Sequence, residues 1–159
     1  MSEINVRIVE LEPMRVASVY GFGASPEEQA WGKLMNWSKP KDLLQNPEQH
    51  RIFGFNNPNP SAGSPNYGYE FSIAVGNDAE PEGDVRILEF SGGLYAVTRC
   101  DLAGQGPGEI IGTTWQQLVE WLAKSNYKHA KHQWLEEHFV SRDKPEEITH
   151  LDLYAPIAD

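Results

Sequence analysis

Apolar and polar positions in this chain fall into one series of patterns, and the series occurs twice. Val6-Arg7-Ile8-Val9-Glu10 alternates with the period of a strand, and Arg15-Val16-Ala17-Ser18-Val19-Tyr20 is a second strand-like run. Trp31, Leu34 and Trp37 then follow at helical spacing and place an apolar stripe on one side of a helix. Ser25-Pro26-Glu27-Glu28 supplies its start: an N-cap serine, a proline in the first turn and a capping-box glutamate three residues on. Two more strand-like runs, Arg51 to Phe55 and Tyr67 to Val75, flank the Asn-, Pro-, Ser- and Gly-rich stretch from Asn56 to Asn66.

The second passage begins at Val85-Arg86-Ile87-Leu88-Glu89 and Leu94-Tyr95-Ala96-Val97-Thr98-Arg99, each 79 positions after its counterpart. Trp115, Leu118 and Trp121 follow their counterparts by 84, so the second copy carries a loop five residues longer before its helix. Thr113 or Thr114 offers the N-cap there, and Glu109 to Ile111 allows an earlier start. Gln133 to Val140 and Thr149 to Ile157 complete the set, with Gly76 to Asp84 as the connector between copies. The order strand, helix, strand, strand, repeated, predicts an α+β fold: one domain over residues 1–159, with repeats at about 4–76 and 84–158. Helices pack on an antiparallel or mixed sheet, and a pseudo-twofold axis leaves a cleft between the copies. Such seams are where small-molecule sites form.

Composition narrows the function. The 159 residues are 40% apolar with 17 aromatic side chains, as in a globular protein. Thirteen Lys and Arg against 23 Asp and Glu give a net charge of −10, which argues against phosphate-backbone contacts and so against direct nucleic-acid binding. No segment reaches the ~20 apolar residues of a membrane span, and no export signal opens the chain. Cys100 is the single cysteine, so no internal disulfide forms and a cytoplasmic location is expected.

Further fragments carry a family resemblance: Tyr95-Ala96-Val97 leading through Gly106-Pro107 to the helix from Thr114 to Leu122, then Leu135-Glu136-Glu137-His138, then Leu153-Tyr154-Ala155-Pro156-Ile157. In this order and spacing the chain resembles the GyrI-like domains, also found as effector-binding halves of multidrug-responsive bacterial regulators. The resemblance runs nearly end to end. It implies binding of bulky, planar, often cationic aromatic compounds in a pocket at the seam, with no cofactor. It also implies that Glu136, which occupies the carboxylate place of a Leu-Glu-x-Tyr segment, faces that pocket. His138 stands where the family usually has tyrosine, which removes a phenol and adds a titratable ring.

Strand alternation extends the candidate set. If Glu136 faces the pocket, Trp134 and His138 face it too. In Tyr67-Gly68-Tyr69-Glu70-Phe71, the aromatics Tyr69 and Phe71 and the acid Glu70 lie on opposite faces. Either those aromatics line the pocket, or Glu70 does as a second acid. Tyr20, Phe22 and Tyr95 are further wall candidates, while core packing is the default for most of Trp31, Trp37, Trp115 and Trp121. His129 and His132 with Glu136 lack the geometry and the additional ligands of a metal site, so none is expected. Gly104 to Gly108 reads as a mobile loop without the lysine of a phosphate loop.

Three functions compete. The first is a stand-alone binding module for aromatic, cationic compounds, with a resistance or sequestering role. The second is a hydrolase of cyclopropane-containing genotoxins with Glu136 as general base. The third is an interaction protein that modulates DNA gyrase, as one member of the resembled family does.

Overall fold

A computed structural model describes residues 4–45, 49–56, 66–101, 107–140 and 148–158. The glycine-rich stretch 104–106 therefore lies outside the described residues. The elements in chain order are β1 (Val6–Leu11), β2 (Met14–Gly23), α1 (Pro26–Ser38), β3 (Ile52–Asn56), β4 (Tyr67–Ala74), β5 (Arg86–Phe90), β6 (Gly93–Asp101), α2 (Pro107–Lys124), β7 (Lys128–His129), β8 (Leu135–Val140) and β9 (Ile148–Ala158). Two short 3-10 turns follow α1, and they and the two-residue β7 have no signature in the apolar pattern. Among the described residues no helix is long and apolar enough to cross a membrane.

Eight strands form a sheet in the order β1-β6-β9-β8-β3-β4-β2-β5, with β7 on the flank of β9. Every pairing is antiparallel, which resolves the expectation of an antiparallel or mixed sheet. Exchanging β1, β2, β3 and β4 for β5, β6, β8 and β9 reverses this order onto itself. The centre of the sheet is thus the β3–β8 pair. Each passage also lends its first strand to the other: β1 pairs with β6, and β5 pairs with β2.

Both helices cover one face. Ala17, Val19, Phe71 and Ile73 pack with Ala30, Leu34 and Trp37 of α1, while Ala96, Leu151, Leu153 and Ala155 pack with Leu118 and Leu122 of α2. The opposite face buries its own cluster of Leu11, Phe53, Tyr95, Val97, Leu135 and Tyr154, and Phe90 of the edge strand β5 stacks on Phe53 of central β3. The sheet is therefore curled, with apolar side chains on both faces.

Two helix starts differ from expectation. Ser25 is the N-cap of α1, with proline in the first turn, but its side chain makes no capping hydrogen bond. Helix α2 begins at Pro107, before either threonine. Thr114 lies inside the helix, where its hydroxyl donates to the Ile110 carbonyl at 2.7 Å and satisfies itself without capping anything.

Candidate functional site: an aromatic cleft around Glu136

The cleft lies on the helix-covered face, above the central strand pair. Register places Phe71, Gly54 and Glu136 side by side across β4, β3 and β8, and Ile73, Ile52 and His138 in the row beside it. Gly54 decides what happens next. A Cβ there would overlap the Tyr69 ring, so only glycine lets Tyr69 of β4 lie across β3. The Tyr69 hydroxyl then donates to Glu136 Oε1 at 2.5 Å. From α2, Trp115 Nε1 donates to Glu136 Oε2 at 3.1 Å. One carboxylate is thereby held by a phenol from the first passage and an indole from the second.

Aromatic rings complete the surroundings. Trp31 of α1 meets Phe71 edge-on at 5.0 Å, and His138 packs against Phe71 at 4.8 Å. Trp134, just before β8, meets Trp115 edge-on at 5.6 Å, and His129 stacks on its ring. Beside Glu136 an opening of about 280 Å³ is bounded by Gly54, Asn56, Trp115, Gln133 and Trp134. Glu27, in the first turn of α1, accepts the Tyr67 hydroxyl at 2.6 and 2.7 Å and adds negative charge to the same neighbourhood.

The electrostatics follow from burial. Desolvation raises the Glu136 pKa, the hydrogen bonds from Tyr69 and Trp115 pull it down, and the charge of Glu27 raises it again; the net direction is up. Tyr69 is held well above the usual phenol range by burial and then by Glu136, so it stays protonated and donates. Tyr67 is pushed up to about 12 by burial and Glu27. Burial lowers His138 to about 4, so its ring is neutral near pH 7. A carboxylate has about four acceptor positions, and two are used here. The remainder suit a cation or a water proton.

Several expected wall residues lie elsewhere, and alternation gives the reason. Tyr69 and Phe71 take the helix face, so Glu70 takes the other, where it meets Ser18 and Arg86, both at 3.4 Å. Tyr20 is the cross-strand partner of Glu70 and shares that opposite face, as does Phe22 two residues on, which is half-exposed. Tyr95 is fully buried there and donates to the Gln133 carbonyl at 2.6 Å. These four residues, Glu70, Tyr20, Phe22 and Tyr95, stand outside the cleft. Glu136, Trp134, His138, Tyr69 and Phe71 are brought together in it.

Trp31 and Trp115, expected as core, do pack against the helix-side clusters, and each also reaches the cleft. The reason is angular: residues six apart on a helix differ by roughly 120° in direction, so Trp31 and Trp37 cannot face the same neighbours. Trp37 turns into the core and Trp31 toward the seam. His129 and His132 diverge, the first onto Trp134 and the second to the Leu94 carbonyl at 2.8 Å. Among the described residues no three His, Cys, Asp or Glu side chains are placed to hold a metal ion.

Comparison with known proteins concerns the fold and the family of the chain. The C-terminal domain of EcmrR has the same fold, with a TM-score of 0.69 at 14% identity over 98% of each chain. The present chain spans only 57% of the EcmrR chain in its DNA complex. A hydrolase encoded by lin2189 from Listeria innocua superposes with a TM-score of 0.66 at 9% identity, over 98% of this chain and 93% of that one. SAV2435 bound to tetraphenylphosphonium superposes with 0.54 at 11% identity, over 98% and 94%. Among curated protein sequences there is no significant match. These identities establish the fold alone. The family model for the GyrI-like small molecule binding domain matches residues 4–158, and the chain belongs to that family.

Proposed function

We propose that this chain binds bulky aromatic cations in the cleft between its two helices, with Glu136 as the counter-charge. One observation carries the reading: a carboxylate of raised pKa, fixed by Tyr69 and Trp115, is surrounded by aromatic rings. Such a carboxylate is costly to keep charged, and a cation offsets that cost by direct attraction. Ring faces add about 0.5–2 kcal/mol each through cation–π contact and tolerate varied ligand shapes. That SAV2435, a protein of this fold, binds tetraphenylphosphonium supports the same choice of ligand class. A multidrug-sequestering or sensing role fits such a site without any chemical step, and a cytoplasmic location is part of this reading.

Hydrolysis is the second reading, and Tyr69 favours it. The phenol that His138 does not provide reaches the glutamate from β4 instead. Glu136 would take a proton from water as its oxygen attacks a strained ring carbon, with Tyr69 placed to protonate the carbon that leaves. Thermal-shift measurements with tetraphenylphosphonium, a neutral aromatic of similar size and a cyclopropane-bearing electrophile separate the two readings. Binding predicts stabilisation by the cation and recovery of every compound unchanged by mass spectrometry. Appearance of the electrophile plus one water, abolished in Glu136→Gln, would replace the binding reading with the enzymatic one. No stabilisation by any compound would remove both.

A further inference from the structure

A second cavity, of about 480 Å³, opens at one end of the sheet and reaches the face turned away from the helices. Arg7 of β1, Arg51 just before β3 and Arg99 of β6 line it, three of the six arginines in the chain. They converge on Glu137 and Asp152, which are cross-strand neighbours on β8 and β9 and only 3% and 2% exposed. Arg51 holds both oxygens of Glu137 at 2.8 and 2.9 Å, and the Tyr154 hydroxyl donates to Glu137 at 2.6 Å. Asp152 receives two arginines: Arg99 at 2.9 and 3.3 Å, and Arg7 at 2.7 Å.

Two buried carboxylates need two cations to compensate them, and here there are three. The lining therefore carries one surplus positive charge in a chain whose total is −10. Burial of the acids also fixes the guanidinium planes, so the forks are oriented before any ligand arrives. The side chains of Arg7 and Arg99 remain about half exposed. Among the described residues Nη1 of Arg7, Arg51 and Arg99 makes no hydrogen bond.

The surplus is confined to one half of the molecule. At the corresponding place in the first passage, Arg86 faces Glu70 as Arg7 faces Asp152, but Tyr20 stands where the second passage has Arg99. An extra arginine beside an acid already paired is not needed to bury that acid. An apolar wall adjoins it: Phe139 lies under the Arg99 guanidinium at 5.3 Å and stacks on His150 at 4.4 Å.

We propose that this cavity binds a small organic oxyanion, a carboxylate or phosphate monoester with an apolar or aromatic body. Its charged group sits on Arg7 and Arg99, and Arg51 closes the far side. The site adjoins the Glu136 cleft at His138, which lines the cavity, but faces the other side of the sheet with its arginines and takes ligands of opposite charge.

Calorimetric titration of the full chain with phenyl phosphate, benzoate and inorganic phosphate tests it. Saturable binding of phenyl phosphate or benzoate is expected, weakened tenfold or more in Arg7→Gln and in Arg99→Gln. Each variant leaves Asp152 paired with the other arginine, and if Arg99→Gln does not fold, Arg7→Gln decides. Arg86→Gln, which removes the same charge from the other half, should bind like wild type. Competition by inorganic phosphate at similar affinity would assign recognition to the oxyanion alone, still within this site. No saturable binding of any probe up to about 10 mM, the range of very weak complexes, would overturn the proposal. So would equal affinity in wild type, Arg7→Gln and Arg99→Gln.

Discussion

The His138 ring packs between Phe71 and Tyr69, with its Nδ1 3.0 Å from the Glu136 carbonyl, a bond that needs the proton on Nδ1. Burial brings its pKa down to about 4 from an ordinary 6.5. A depressed folded-state pKa contributes stability that is present above the unfolded value and lost as pH falls through the folded one. The window is therefore about pH 6.5 down to 4, and the loss is on the order of 3 kcal/mol. Glu136 has the opposite sign: its raised pKa favours the fold at acid pH, and that contribution is lost as pH rises through its folded value. Comparing wild type with His138→Gln leaves Glu136 common to both and isolates the imidazole. Urea midpoints should fall more steeply with acid in wild type than in the variant; parallel curves would show that His138 titrates normally. Glu136 was marked by the family resemblance, and His138 followed from it because alternation within β8 couples the two. Their depth was not legible, since it depends on two helices whose placement the residue pattern does not specify.

Elements show where pattern reading succeeds and where it stops. The apolar runs locate β1 to β6, β8 and β9 and both helices within a few residues, because the helices bury one stripe and the central strands bury apolar side chains on both faces. They cannot say which edge of a helical stripe meets a partner helix and which meets the sheet. That is why Trp31 and Trp115 look only like core residues in sequence, whereas in space they pack on the core and also reach the cleft. For the same reason β4 left two choices open: its alternation separates Glu70 from Tyr69 and Phe71, but only the packing of α1 on β4 decides which set faces inward. Gly54 gives no sequence signal at all, since its role is the absence of a side chain beneath Tyr69. Gly54→Ala should destabilise the protein by about 1–3 kcal/mol through overpacking and detach the Tyr69 hydroxyl from Glu136. Chemical denaturation checks the first effect. The second predicts a loss of ligand affinity at temperatures where the variant remains folded, and an unchanged midpoint would mean that the ring is free to move aside.

At the scale of the molecule the exchange of β1 and β5 ties the two passages into one unit. Neither passage keeps its own first strand: β1 hydrogen-bonds to β6 across six register pairs, and β5 to β2 across five. The β3–β8 pair joins them again at the centre. A chain of residues 4–76 alone would expose the edges of β2 and β3 and leave the apolar side chains of β1 without a sheet. It is expected to lack a cooperative thermal transition by circular dichroism, whereas the full chain should unfold in one step; a folded half would contradict the interlocked arrangement. Repetition in the sequence disclosed the two passages but not this exchange, because register between copies is set by long-range pairing.

The same centre holds the cleft, where the proposed selectivity rests on Glu136 reading charge. Fluorescence titration of wild type and Glu136→Gln with one cationic aromatic dye and one uncharged analogue of the same shape measures that most directly. The amide keeps the volume of the carboxylate and removes its charge. The cation should lose roughly tenfold or more in affinity, about 1.4 kcal/mol, while the neutral analogue, held by stacking and apolar burial, should lose little. Equal losses for both ligands, or no loss for either, would contradict it.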